Sequence, residues 1–109
     1  VEMLGSVDGV RLPSTLPGNR HVWHLFVVRV AERDRVVEEL QSSGVGAAVH
    51  YPVPVHLHGA YRHLGLGRGS FPVAERAAGE ILSLPMFPGI TAAQQERVAE
   101  VLVGAVTAS

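Results

Sequence analysis

The stretch His21-Val22-Trp23-His24-Leu25-Phe26-Val27-Val28-Arg29-Val30 decides how this chain folds. It is rich in β-branched and aromatic residues, and both of its alternating faces are largely apolar. That pattern predicts a central strand covered on both sides. Arg33 to Ser43 follows as a helix, with Val36, Val37 and Leu40 on one face and Glu38, Glu39 and Gln41 outside. Gly44 is placed to end it. Val45 to Tyr51 then reads as a second strand, stopped by Pro52 and Pro54.

Upstream, Val10-Arg11-Leu12 reads as a short edge strand ended by Pro13, and Pro17-Gly18 as a turn. Downstream, His56 to Leu64 reads as a short helix or turn, and Gly65-Leu66-Gly67-Arg68-Gly69 as a loop. A helix begins near Ser70 and Pro72, with Ala74, Ala77, Ala78 and Ile81 as its apolar stripe. Two prolines bracket Ser83-Leu84-Pro85-Met86-Phe87-Pro88, which predicts a short extended segment. Thr91-Ala92-Ala93-Gln94 is a capping box that opens a last helix, whose buried stripe is Val98, Val101, Leu102 and Ala105. The order predicts an α/β fold of the two-layer α+β kind, a short sheet covered by helices, in a single domain over residues 1–109.

The 109 residues contain no lysine and no cysteine; all nine basic residues are arginine. Thiolate catalysis, disulfides, cysteine zinc sites and lysine Schiff-base chemistry are therefore outside this chain's own means. A net charge of -1 gives no sign of a nucleic-acid or anionic-membrane partner. The absence of cysteine suits a cytoplasmic location; no apolar run approaches the roughly 18 residues of a membrane span, and no signal peptide is visible. The chain opens on Val1 rather than Met, from which a processed, trimmed or excised chain is expected. Charged residues make up 17%, against roughly 25% in typical soluble domains. Either part of the surface docks on another body, or the composition follows an Ala/Val-rich genome.

Six histidines, at 21, 24, 50, 56, 58 and 63, pose the question of a metal site. His21 and His24 would point to opposite faces of a strand, and His56 and His58 would lie about 200° apart on a helix. Few carboxylates sit nearby, so partly buried, hydrogen-bonded histidines are the better reading. No Gly-x-Ser-x-Gly elbow is present, and Ser70 and Ser83 read as cap or turn residues. The glycines at 65, 67 and 69 do not make a dinucleotide fingerprint. The densest chemistry is His50-Tyr51-Pro52-Val53-Pro54-Val55-His56, two imidazoles and a phenol on a proline-braced strand exit. It suits a ligand-contacting loop or an ordinary strand terminus equally.

Beyond spacing, a likeness of motifs carries the reading further. His21 to Arg29, Arg33-Asp34, His50 to His56, Ala60-Tyr61, Phe71-Pro72-Val73-Ala74-Glu75 and Ser83 to Pro88 come in an order that resembles the C-terminal part of the DegT/DnrJ/EryC1/StrS family. These are pyridoxal-phosphate (PLP)-dependent aminotransferases that act on nucleotide-linked keto sugars in amino-sugar biosynthesis. One departure is His58, where the family more often carries glutamine.

The resemblance implies the small C-terminal domain of a fold-type I enzyme. The large PLP-binding domain, with the Schiff-base lysine, would lie outside this chain, and the full-length enzyme would be a homodimer. It implies no catalytic residue here and no cofactor bound by this chain alone. His50 and Tyr51 would reach a nucleotide-diphosphate sugar, with His56 as a third substrate-binding residue or as support for that loop. Two other readings stay open: a dehydratase of the same family, in which histidine replaces the lysine, and a non-catalytic nucleotide-sugar-binding module. Alone, the chain is expected to be inactive, and to self-associate or be marginally stable.

Overall fold

The computed structural model describes residues 2–108. Three strands form one antiparallel sheet in the order β1 (Val10–Arg11), β2 (Phe26–Val30), β3 (Ile81–Leu84). Three α-helices accompany it: α1 (Arg33–Ser42), α2 (Pro72–Glu80) and α3 (Ala92–Thr107). Two 3-10 segments, Val55–Leu57 and Gly59–Leu64, lie between α1 and α2.

The register explains the core. Val28 pairs with Leu82 and Phe26 with Leu84, so these side chains share one face with Val30. That face packs with Val36 and Leu40 of α1, with Leu102 and Ala105 of α3, and with Leu4 from the N-terminal segment. Leu40, Leu82 and Leu102 are fully buried. The capping box at Thr91 is present in both directions, Gln94 N–H to the threonine hydroxyl and Thr91 N–H to the glutamine side chain. The fold is the short, helix-covered α/β sheet that the sequence predicts.

Three expected elements are corrected. First, the strand expected from His21 begins only at Phe26. One residue earlier its cross-strand partner would be Pro85, which has no N–H to donate. The preceding chain instead doubles back: Trp23 takes φ 47, its N–H donates to Nδ1 of His21, and the two rings stack with centroids 3.8 Å apart.

Second, Val45 to Tyr51 is not a strand. It makes a single antiparallel bridge, Ala48 with Ser83. Val45 N–H folds back to the Leu40 carbonyl, and the side chain of Gln41 takes the Ala47 carbonyl that a ladder would need. Third, Ile81 does not continue the helical stripe; it opens β3 directly after Glu80. Arg33 holds that junction, its buried guanidinium donating to the carbonyls of Ala78 and Ile81 at 2.7 and 2.8 Å.

Candidate functional site

The Ala48–Ser83 bridge brings the chain from α1 alongside β3 and delivers His50 next to Ser83. The imidazole Nδ1 lies 2.8 Å from the Ser83 hydroxyl. Ser83 itself is 4% exposed and exchanges both backbone hydrogen bonds with Ala48. His50 thus sits on a rigid support. Its ring also meets Tyr51 edge-on, with centroids 5.3 Å apart. Tyr51 is 71% exposed and turns its phenol to the outside. The peptide bond between the two is cis.

His50 and Ser83 line a groove of about 730 Å³. One wall is the glycine-flanked loop after α1, Gly44 to Gly46. Met86 and Phe87, after β3, and Gln94 and Arg97, from the first turns of α3, also line it. The lining is mostly apolar with a few polar tips, the usual composition of a small-molecule site. Gln94 is already used by the helix cap. Among the described residues Arg97 makes one loose pair, with Glu100 at 3.9 Å, and so keeps guanidinium donors for an anion.

His56 is placed differently. It is 9% exposed, its Nε2 lies 3.2 Å from Glu75, and its ring meets the edge of Phe71. Glu75 also accepts the N–H groups of Gly69 and Phe71. These contacts tie the turn at Val55–Leu57, the glycine loop and the start of α2 to one carboxylate. The Gly69 N–H is the largest cause that holds the Glu75 carboxyl below its ordinary value; partial burial opposes it, and the Phe71 N–H and His56 act in the same direction as Gly69. Nearby, His58 Nε2 donates to the Val53 carbonyl at 3.0 Å and pins the proline turn.

Of the residues singled out in the sequence, His50 lines the groove and the exposed Tyr51 stands against its ring, while His56 stands behind the loop. Gly65 and Gly69 take φ 70 and φ 90, as a turn requires. Among the described residues no three potential metal ligands converge, and no helix is long and apolar enough to cross a membrane. Sequence reasoning missed Ser83 and Arg97 as groove residues. Ser83 sits inside an apolar run, and only the register of β3 reveals what it faces.

Comparison with known proteins supplies the rest. A model of the DegT/DnrJ/EryC1/StrS aminotransferase family matches residues 2–103. The chain belongs to this family. It is 51% identical over 88 residues to the erythromycin biosynthesis sensory transduction protein EryC1 of Saccharopolyspora erythraea, covering 81% of this chain and 24% of that protein. It is 43% identical over 95 residues to a dTDP-3-amino-3,4,6-trideoxy-alpha-D-glucose transaminase of Streptomyces venezuelae, covering 87% of this chain and 25% of that one. The crystal structure of S. venezuelae DesV in complex with a ketimine intermediate superposes with a TM-score of 0.90 at 40% identity, over 94% of this chain and 28% of that one.

The chain thus spans about a quarter of the length of the curated relatives it matches. PLP is the cofactor expected of the family. The residues present here do not fit a covalent hold on it, because none of the 109 is a lysine, and arginine stays protonated at working pH.

Proposed function

We propose that this chain is the substrate-facing C-terminal domain of a PLP-dependent aminotransferase acting on nucleotide-linked keto sugars. His50 and Tyr51 contact the substrate, and the catalytic lysine belongs to a separate large domain. The observation that carries the reading is the pairing at residues 50 and 51: a supported imidazole lining a groove beside an exposed phenol. A sugar nucleotide offers hydroxyl, carbonyl and phosphate oxygens, and imidazole and phenol are suited to all three. Relatives named as dTDP-amino-sugar transaminases support the substrate class. His56 serves the same site at one remove, by fixing through Glu75 the loop that follows Tyr51.

On this reading the chain's own residues bind and orient, and proton transfer at the reacting carbon falls to the other domain. A graft tests it. Replacing the matching quarter of the S. venezuelae transaminase with this chain should preserve transamination of the keto sugar. His50→Ala and Tyr51→Phe in the graft should each raise KM about tenfold, the worth of one hydrogen bond of about 1.4 kcal/mol. A folded, cofactor-loaded graft whose KM ignores both substitutions would refute the assignment.

A further inference from the structure

The contact between Ser83 and His50 has a direction, and the direction decides what His50 can recognise. Ser83 is buried, and among the described residues its hydroxyl has one hydrogen-bond partner, Nδ1 of His50 at 2.8 Å. Two arrangements satisfy that distance. If Nδ1–H donated to Oγ, the hydroxyl hydrogen would be left buried with no acceptor, which is the costly kind of omission. If the hydroxyl donates to Nδ1, its one hydrogen is used and only lone pairs go unpaired. The second arrangement leaves Nδ1 as acceptor and puts the ring proton on Nε2. No described residue partners Nε2, and the ring lines the groove.

We propose that Ser83 is a positioning residue that holds His50 as the neutral Nε2–H tautomer, so that His50 presents a fixed donor to the groove and selects a ligand oxygen that accepts: a keto, hydroxyl or phosphate oxygen. The inference rests on the reading of His50 as substrate-facing. It adds a residue and a sign: a ligand group that can only donate has no partner in this tautomer. It also explains why a serine stands between Leu82 and Leu84 in an otherwise apolar strand. Ser83 pairs with Val27 across the sheet, on the face opposite Leu82 and Leu84, and so faces the groove rather than the main core.

Ring nitrogens of histidine are read directly by long-range proton–nitrogen NMR of the labelled full chain, under mildly alkaline conditions that keep imidazoles neutral. The signal set lost in His50→Gln assigns the residue. The expected result is a single Nε2–H form with an Nδ1 resonance displaced by hydrogen bonding. Ser83→Ala should abolish the displacement and Ser83→Thr, which keeps the hydroxyl, should restore it; a general packing defect would not be rescued in this way. Thymidine diphosphate added to the wild-type chain should move the Nε2–H resonance, with affinity about tenfold weaker in Ser83→Ala. A protonated Nδ1 in the wild type overturns the proposal, and it does so even if Ser83→Ala fails to fold. The stated tautomer with no response at His50 to thymidine diphosphate removes the nucleotide sugar as its target and leaves the orientation by Ser83 standing.

Discussion

Two parts of this small chain are built on opposite principles. The layer formed by β2, β3, α1 and α3 hides its apolar side chains: Val28, Val36, Leu40, Leu82 and Leu102 are fully buried against one another. The segment from Tyr51 to Val73 leaves its own in the open, with Tyr51, Val55, Leu64 and Phe71 all exposed and Val73 75% exposed. The first region is ordered by burial. The second is held by short 3-10 turns, the bound carboxylate of Glu75 and the His58–Val53 hydrogen bond. The radius of gyration, 15.5 Å, exceeds the ~13 Å of a compact domain of this size, as expected of a domain with an open side. A rigid layer that carries an uncovered apolar segment fits the proposal of a domain that meets its neighbour, and its ligand, on one side.

The contrast can be broken most severely from the core. Leu82→Ala should cost about 2–5 kcal/mol and lower Tm by about 10 °C or more, whereas Val73→Ser should stay within about 0.5 kcal/mol. Paired thermal melts measure both, and comparable losses would erase the distinction. Arg33→Ala should cost about 2 kcal/mol, because the carbonyls of Ala78 and Ile81 lose their buried donor at the helix-to-strand junction. Denaturant titration reads this, and Arg33→Lys should recover only part of it, since a point charge lacks the guanidinium fork. Thr91→Ala removes one half of the capping box and should cost about 1 kcal/mol.

The smallest global effect, and the most local, belongs to Glu75. Its carboxyl is held below its ordinary value of 4.5, so the stability it lends is present above that value and is lost as pH falls through the lower, folded-state value. Protection of the Gly69 and Phe71 amides, measured against their intrinsic exchange rate at each pH, should therefore fall on acidification, while amides of β2 stay protected. Glu75→Gln should give the low protection already at neutral pH and remove most of its acid dependence. Acid-insensitive protection at those two amides would show that the carboxylate does not hold the loop.

Where a local signal carried its own partner, the sequence was sufficient. The Thr91 box, the α1 stripe and the glycine turns each name both ends of an interaction within a few residues. Strand pairing does not. His21 to Leu25 has strand composition, yet Pro85 ends the partner strand, and nothing in residues 21–25 records that. Val45 to Tyr51 fails for a similar reason, since Gln41 takes the Ala47 carbonyl from outside the segment. In the site, His50 and Tyr51 were legible as polar tips on a proline-braced exit. Their relation to Ser83 was not, because 33 residues separate His50 from it and only the sheet register brings them together. The burial of His56 was equally hidden, because Glu75 lies 19 residues on.

On the proposed function, the open side of the chain at His50 and Tyr51 meets a nucleotide sugar. Amide shift mapping of the full chain with a thymidine-diphosphate sugar tests it most directly. Saturable shifts confined to Ala48–Tyr51, Ser83–Phe87 and the first turn of α3 are expected, with the outer face of α1 silent. No shift at saturating ligand, or shifts centred on α1, would contradict it.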